Sequence, residues 1–141
     1  MASVIYNNAK ELLLKGDLDF DVDTIYAMLV TSSYTPDVDA HVNRDDVTNE
    51  VANGNGYTTG GAEAANLVVS QDNTDNEGVV DGDDITWASS TITARAAVLY
   101  KVVGSAATDL LIAYIDFTED KISSDGDFEI QWNSEGILNL G

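Results

Sequence analysis

The sequence has no cysteine and a single proline, Pro36, among its 141 residues. The missing thiols exclude a disulfide framework and a cysteine nucleophile. Only six lysines and arginines face 25 aspartates and glutamates, which gives a formal charge of −19. Phosphate backbones are bound by clustered cations, so this balance argues against a nucleic-acid partner. No apolar run reaches the ~18 residues of a membrane helix, and the N-terminus lacks a signal-peptide pattern, so we expect no membrane partner.

What the chain does have is a globular composition. Hydrophobic residues make up 44% of it, so the acidic excess does not predict a disordered tail. The length suits one compact domain over residues 1–141, and we find no internal repeat or linker that would divide it. Two interpretations of the acidity stay open: the surface of a salt-adapted organism, or a face for a basic partner.

One segment near the N-terminus has the pattern of a short helix. Leu12 and Leu13 fall at helical spacing with the apolar residues before them. Asn7 or Asn8 is expected to cap its start, because a side-chain oxygen there accepts a backbone N–H. Gly16 is expected to end it in the left-handed conformation. At two to three turns such a helix is marginal alone, so it must dock on a core.

The next segments alternate between acidic and apolar stretches. Residues 17–23 alternate strictly between aspartate and an apolar residue, which predicts an extended segment. Together with the helix, this segment would form an N-terminal helix and extended arm over residues 1–23. Ile25–Val30 is a nearly continuous apolar run, typical of a strand buried on both faces. Residues 36–55, here called the long connection, predict a surface segment with a short strand or turn around residues 47–51.

From residue 66 onward, short alternating segments separated by turns predict antiparallel strands. In the longest, the even-numbered residues from Ile92 to Val102 are expected to share one face. The fold class predicted is mainly β: an antiparallel β-sandwich or barrel-like sheet with one short N-terminal α-helix. The predicted strands cover residues 67–70, 92–102, 111–117, 128–132 and 137–140.

Two stretches that invite a catalytic interpretation lack the rest of the pattern. The glycine-rich residues 54–61 have the wrong spacing for a dinucleotide fingerprint, and no Lys-Ser or Lys-Thr pair follows, so they predict a turn feeding a strand. His41, the only histidine, has no serine-nucleophile motif to work with and predicts an exposed loop histidine. With 25 acidic residues in the chain, no particular pair of carboxylates stands out as a catalytic acid and base. The sequence therefore favours a protein that is not an enzyme.

The acidic residues 72–84 partly match a calcium-binding loop. Oxygen-bearing side chains alternate along it, and Gly78 falls at the sharp turn. The flanks are strand-like, however, and the last ligand position holds an aspartate where a bidentate glutamate is usual, so a solvated hairpin loop is the alternative. Ca²⁺ is the only cofactor that the sequence suggests. The candidate metal ligands are Asn73, Asp75, Glu77, Asp81 and Asp84.

Trp87 stands beside this acidic segment and is the candidate interface residue. Aromatic side chains are enriched at protein contacts, although packing in the core is their more usual role. Together, an acidic loop and an outward-facing tryptophan would suit a cation- or carbohydrate-binding β module, because aromatic rings stack on sugars and carboxylates hold Ca²⁺.

Five stretches are distinctive as strings: IYNNAKELLLKG at residues 5–16, LVTSSYTP at 29–36, GNGYTTGG at 54–61, ITARA at 92–96 and DFEIQW at 127–132. With them the chain resembles, over nearly its whole length, small virion structural proteins of tailed bacteriophages. The resemblance implies a noncatalytic capsid decoration (cement) protein that stabilises the head, with a tail tube, tip or fibre subunit as the alternative.

The same resemblance implies partners and a location. The partners would be the major capsid protein and copies of the chain itself in a homo-oligomer, within a virion assembled in the host cytoplasm. The N-terminal segment and the long connection are then the expected contact arms. The resemblance implies no catalytic residues.

Overall fold

In a computed structural model, residues 3–141 form ten strands, one α-helix and one short 3₁₀ helix at Arg44–Asp46. The first two residues of the predicted N-terminal arm lie outside the described part of the chain. The elements are, in chain order, β1 (Val4–Ile5), α1 (Asn7–Lys15), β2 (Ile25–Val30), β3 (Ala62–Glu63), β4 (Val68–Asp72), β5 (Glu77–Asp81), β6 (Ile85–Ser90), β7 (Thr93–Lys101), β8 (Leu110–Ile122), β9 (Gly126–Ile130) and β10 (Leu138–Leu140).

The largest sheet has five antiparallel strands in the order β1-β8-β7-β2-β3. Strand β2 lies inside it, paired with β7 from Ile25 opposite Lys101 to Val30 opposite Ala96. Its residues from Ala27 to Val30 are at most 1% exposed, which confirms the strand predicted to be buried on both faces. The sheet ends at the two short strands β1 and β3, so it is open.

A second layer completes the sandwich. Strands β6 and β9 form a two-stranded ribbon, and β10, β5 and β4 form a separate three-stranded sheet, here called the hairpin sheet. Apolar side chains of the ribbon and of the five-stranded sheet meet in one core, so the predicted β-sandwich is confirmed. The side chains that meet there include Leu29, Leu99, Ile85, Trp87, Phe128 and Ile130.

A smaller core lies on the opposite face of the five-stranded sheet. Because side chains alternate along β2, Leu29 enters the larger core while Met28 and Val30 enter the smaller one. Tyr34 is buried in this smaller core, and Val47 from the long connection packs against it. The long connection therefore covers an apolar face that would otherwise meet water.

The predicted shared face of residues 92–102 is wrong. Ala94 contributes to the larger core, whereas Ala96 contributes to the smaller one. The pairing between β7 and β8 is irregular here: Ala94 lies opposite Lys121 but Ala96 opposite Asp116. Four residues of β8 therefore face a single residue of β7, and a bulge of this kind turns the following side chains to the other face.

Residues 20–22 form a turn, followed by a bend at residue 23, so the predicted extended arm is wrong from residue 20 onward. The backbone carbonyl of Asp19 accepts hydrogen bonds from the N–H groups of Val22 and Asp23, at 3.2 and 2.8 Å. Its side chain accepts a further bond from the N–H of Asp21, at 3.0 Å. Aspartate side chains stabilise such turns as readily as they face water from a strand, and here the turn prevails.

Helix α1 ends as predicted, with Gly16 at φ 77°. Its start differs, because Tyr6 occupies the N-cap position and makes no side-chain capping bond. The amide of Asn7 donates to Asp39 of the long connection at 2.6 Å, and the buried Nδ2 of Asn8 has no partner among the described residues. Neither predicted cap forms, because Asn7 and Asn8 are the first two residues inside the helix and the N-cap position falls on Tyr6.

Candidate functional site

Trp87 is a core residue, so its prediction as an interface residue is wrong. Its side chain is 6% exposed and lies between the rings of Tyr57 and Phe128, each with a centroid distance of 6.0 Å. A ring enclosed in this way offers no face on which a sugar could stack, which removes the basis for a carbohydrate site. The alternation in β6, with Ile85 and Trp87 buried and Thr86 exposed, is the sequence signal that favours the core position.

The five predicted calcium ligands do not surround one point. Residues 77–81 form strand β5, and an extended strand of that length separates its two ends by about 13 Å. Glu77 accepts a hydrogen bond from Asn139 at 2.9 Å, at one end of the strand. Asp81 accepts one from the N–H of Gly82 at 2.9 Å, at the other end. Asp84 accepts one from the N–H of Trp132 at 2.9 Å, so the calcium-loop geometry is absent from these residues.

A different set of carboxylates does meet at the tip of the hairpin sheet. Ligand atoms of Asp72, Asp75 and Glu135 lie within 4.8 Å of one another, and Asp75 is one of the predicted ligands. Asp72 also accepts hydrogen bonds from the N–H groups of Thr74 and Asp75, at 2.7 and 3.2 Å. Hard cations take such oxygen ligands, but a group of three carboxylates at the surface does not by itself define a metal site. No sequence pattern links Glu135 to the hairpin, because only the fold brings it there.

His41 is held in place by hydrogen bonds, so it is not the exposed side chain that the sequence predicted. Its ring stacks on Tyr34 with a centroid distance of 5.7 Å, and Nδ1 lies 2.9 Å from the Tyr34 hydroxyl. That hydroxyl is also 2.7 Å from the hydroxyl of Tyr6. Burial raises the pKa of both tyrosines, so their hydroxyls stay protonated and serve as hydrogen-bonding groups.

The long connection is fastened to the β7–β8 turn by a partly buried ion pair. Arg44 Nε donates to Asp109 Oδ2 at 2.9 Å, and its guanidinium lies 5.2 Å from the centre of the Tyr100 ring. Burial of Asp109 opposes its ionisation. The hydrogen bonds that it accepts from the N–H groups of Val103 and Gly104, and the charge of Arg44, outweigh burial and lower its pKa. The connection is thus part of the rigid body rather than a free arm.

The glycine-rich residues 54–61 form a turn that leads into β3, as predicted. Gly61 has φ +79°, and a Cβ there would lie 1.9 Å from the carbonyl oxygen of Ala27. Tyr57 fixes the turn from within, since its hydroxyl donates to Glu50 at 2.7 Å and accepts from the N–H of Leu29 at 3.0 Å. The glycines therefore let two backbones approach closely, which is a structural role.

Two surfaces of the described chain remain open for contacts. One is the hairpin sheet, where Val68, Val69 and Leu140 are 59%, 47% and 71% exposed. The other is a cleft of about 920 Å³ between the five-stranded sheet and β9, with the residues before β10 at one end. Neither surface was predicted, because each is built from segments far apart in the sequence.

Comparison of the chain with protein-family models, with curated proteins and with solved structures gives no match. Within residues 3–141, no helix has both the length and the apolar character needed to cross a membrane.

Proposed function

We propose that this protein is a noncatalytic structural component of a virus particle, a capsid decoration (cement) protein that stabilises the head of a tailed bacteriophage. The proposed lineage rests on the sequence resemblance alone. The structural observation that supports the role most directly is the hairpin sheet, which presents apolar side chains and a free strand edge to water. A surface of that kind is typical of protein contacts.

The hairpin sheet has the two properties of a contact surface. Strand β4 ends the strand order β10-β5-β4, so one of its edges has no strand partner in the described chain. Val69 lies in register with Val80 of β5, which in turn lies opposite Leu138 of β10, so the three share a face. Val80 is only 9% exposed while Val69 is 47% exposed, so this apolar face runs from the core out into water.

A rigid body supports this surface. A decoration protein adds noncovalent contacts to a shell, and those contacts resist deformation only if the subunit itself does not yield. The central strands are buried on both faces, and the long connection is tied down through Arg44 and Asp109. Because β1 pairs with β8 and the long connection is held by the Arg44–Asp109 ion pair, we propose that the shell contacts lie on the hairpin sheet instead.

The charge fits the same role. At −19 the chain repels its own copies in solution, which keeps free subunits apart before they dock. A positively charged seam on the major capsid protein would attract it and offset the charge between neighbouring copies. The proposed partners are therefore the major capsid protein and, once on the shell, further copies of the chain.

Binding to empty heads tests the proposal. Expanded heads assembled without this protein are mixed with the purified chain and sedimented, and we expect saturable binding at a fixed number of copies per head. Val69→Asp, on the hairpin sheet, should weaken binding at least about tenfold, equivalent to about 1.4 kcal/mol. Val22→Asp is the matched control, because Val22 is 78% exposed but lies in the turn before β2.

Two results would count against the decoration role. Wild-type protein that stays in the supernatant would remove the head as its location. Equal loss of binding in Val69→Asp and Val22→Asp would show that added charge, rather than the hairpin sheet, is what matters.

The alternative is a tail tube, tip or fibre subunit, and the free edge of β4 also supports it. An edge that pairs with a different surface of the next copy builds rings or filaments. Gold-labelled antibody against the protein distinguishes the two locations on intact particles. Label over the head supports decoration, and label confined to the tail selects the alternative.

A further inference from the structure

The cleft between the two layers of the sandwich is lined by strand edges. Its walls include the consecutive residues 115–117 of β8, 127–130 of β9 and 136–139 at the C-terminal end. Side chains of a strand point alternately to its two faces, so a cleft that touches consecutive residues meets the edge of the strand. The volume, about 920 Å³, lies at the upper end of the range for ligand pockets.

One long edge of the cleft, that of β9, has backbone groups to offer. Strand β9 pairs with β6 on one side, and no strand of the described chain pairs with its other side. The edge of β8 is partly occupied, because β1 pairs with it at Ala113 and Tyr114 and the N–H of Asp116 donates to the Ser3 hydroxyl at 3.0 Å. Unpaired N–H and C=O groups along an edge are what an added strand binds.

The cleft also exposes apolar side chains. Ile122, at the end of β8, lines it and is 72% exposed. Phe117 and Trp132 line it as half-buried aromatic rings. An occupant with apolar side chains on one face would cover these groups and stabilise the complex by excluding water.

The charge around the cleft defines the occupant further. Three acidic residues line it: Asp116 is paired with Arg95, whereas Asp127 and Glu129 are exposed and form no ion pair with any described residue. Its one lysine, Lys121, is already paired with Glu119 at 2.6 Å. A second copy of the chain would bring a further −19 and only six cationic side chains. Charge complementarity therefore favours a basic segment of a different protein.

We propose that this cleft binds an extended, positively charged segment of another protein by strand addition to β9. Alternate side chains of the added strand carry the charge toward Asp127 and Glu129, and the others cover Phe117 and Ile122. The five residues of β9 span about 13 Å from first to last, so an added strand of about five residues would cover its edge. This inference goes beyond the proposed function, because it holds for any assembly that carries the protein and uses a different edge from β4.

The test uses purified protein and a capped peptide of about seven alternating lysine and valine residues, slightly longer than β9. We expect binding in the micromolar range by calorimetry and a change in tryptophan fluorescence. Trp132→Phe should abolish the fluorescence change while calorimetric binding persists, because the remaining Trp87 is enclosed in the core.

Three controls make the result specific. The double variant D127N/E129Q should weaken binding about tenfold, whereas D72N/D75N, which removes two acids of the hairpin sheet, should leave it unchanged. The same peptide with an N-methyl group on every backbone amide has no N–H to donate from either edge and should bind about tenfold more weakly. A glutamate–valine peptide of the same length should not bind.

Each contrary result overturns a different part of the inference. Absence of lysine–valine binding removes the cleft as a peptide site. Equal binding of the N-methylated peptide, or equal loss in D72N/D75N, reduces the interaction to charge attraction without strand addition. A dimer in sedimentation that D127N/E129Q strengthens would assign the cleft to a second copy of the chain. None of these results depends on binding to heads, so they separate this inference from the proposed function.

Discussion

The central strands β2, β7 and β8 and the hairpin sheet use similar residues but meet water very differently. Val30 and Val98 are 0% exposed, whereas Val68 and Val69 of β4 are 59% and 47% exposed. All four are valines in antiparallel strands, so strand preference does not account for the difference. Layers on both faces cover the central strands, and the hairpin sheet lacks such cover. The same residue type therefore stabilises the fold in one region and offers a contact in the other.

The comparison predicts an uneven distribution of stability. Complete burial of a valine or leucine side chain contributes about 1.5–3 kcal/mol, and partial burial contributes proportionally less. Changes in the central strands should therefore unfold the whole domain, while equivalent changes in the hairpin sheet should leave it folded. Matched pairs of substitutions, one in each region, test this directly.

The largest effect is expected from Gly61→Ala, beside β2. Its left-handed φ of +79° disfavours alanine, and the added Cβ would overlap the carbonyl oxygen of Ala27 at 1.9 Å. We expect a loss of about 4 kcal/mol in the free energy of unfolding, measured by urea denaturation. Gly78→Ala in the hairpin sheet is the control, because its Cβ would meet no atom within 4 Å. An equal loss of unfolding free energy in the two variants would contradict the expected difference between the central strands and the hairpin sheet.

The next largest effect is expected from Leu29→Ala in β2. This side chain is 0% exposed, and its removal leaves a cavity in the larger core. The expected cost is about 3 kcal/mol in the free energy of unfolding. Leu140→Ala, at a position 71% exposed, should cost less than about 0.5 kcal/mol. A cost above 2 kcal/mol for Leu140→Ala would show that the hairpin sheet belongs to the core.

Asp109→Asn tests the attachment of the long connection through pH. The folded-state pKa of Asp109 is lowered, so its ionised form stabilises the fold above the unfolded pKa of about 3.9. That contribution is lost as the pH falls through the lower, folded-state value. We expect Asp109→Asn to cost about 2 kcal/mol at pH 7, and the difference from wild type to shrink below about pH 4. Urea denaturation at several pH values measures this, and a difference independent of pH would contradict it.

The smallest effect is expected at the carboxylate cluster on the hairpin sheet. Asp72, Asp75 and Glu135 lie within 4.8 Å of one another and repel one another when ionised. Asp75→Asn should therefore raise the melting temperature slightly at low salt, by about 1 °C, and added salt should remove the gain. Calorimetric melting with and without chelator measures it. A lower melting temperature for the variant, in the absence of chelator only, would show that a bound cation stabilises the wild-type hairpin.

The sequence alone was sufficient where one local pattern decided the structure. The six apolar residues of β2 predicted a strand buried on both faces, and the alternation of Phe128 and Ile130 predicted β9. Both strands form, because their patterns suit only one arrangement against a core. The sandwich class followed from the spacing of such segments.

The failures have a common physical cause, since each depends on neighbours that are distant in the sequence. The alternating pattern of residues 17–23 is compatible with a strand and with a turn. Hydrogen bonds accepted by Asp19 stabilise the turn. The face of β7 reverses because β8 contributes extra residues opposite Arg95, which no pattern within β7 indicates. Glu135 reaches Asp75 only in the folded chain. The hairpin sheet and the cleft arise in the same way, because β4 and β9 each have one edge that pairs with no strand of the described chain.

Our central proposal is that this β-sandwich carries exposed sheet edges that hold a viral shell together, and that it catalyses no reaction. An electron cryo-microscopy reconstruction of the parent particle tests it most directly. We predict density for this fold on the outer surface of the head, with the hairpin sheet against the capsid protein. Heads that are complete and stable without any such density would contradict the claim.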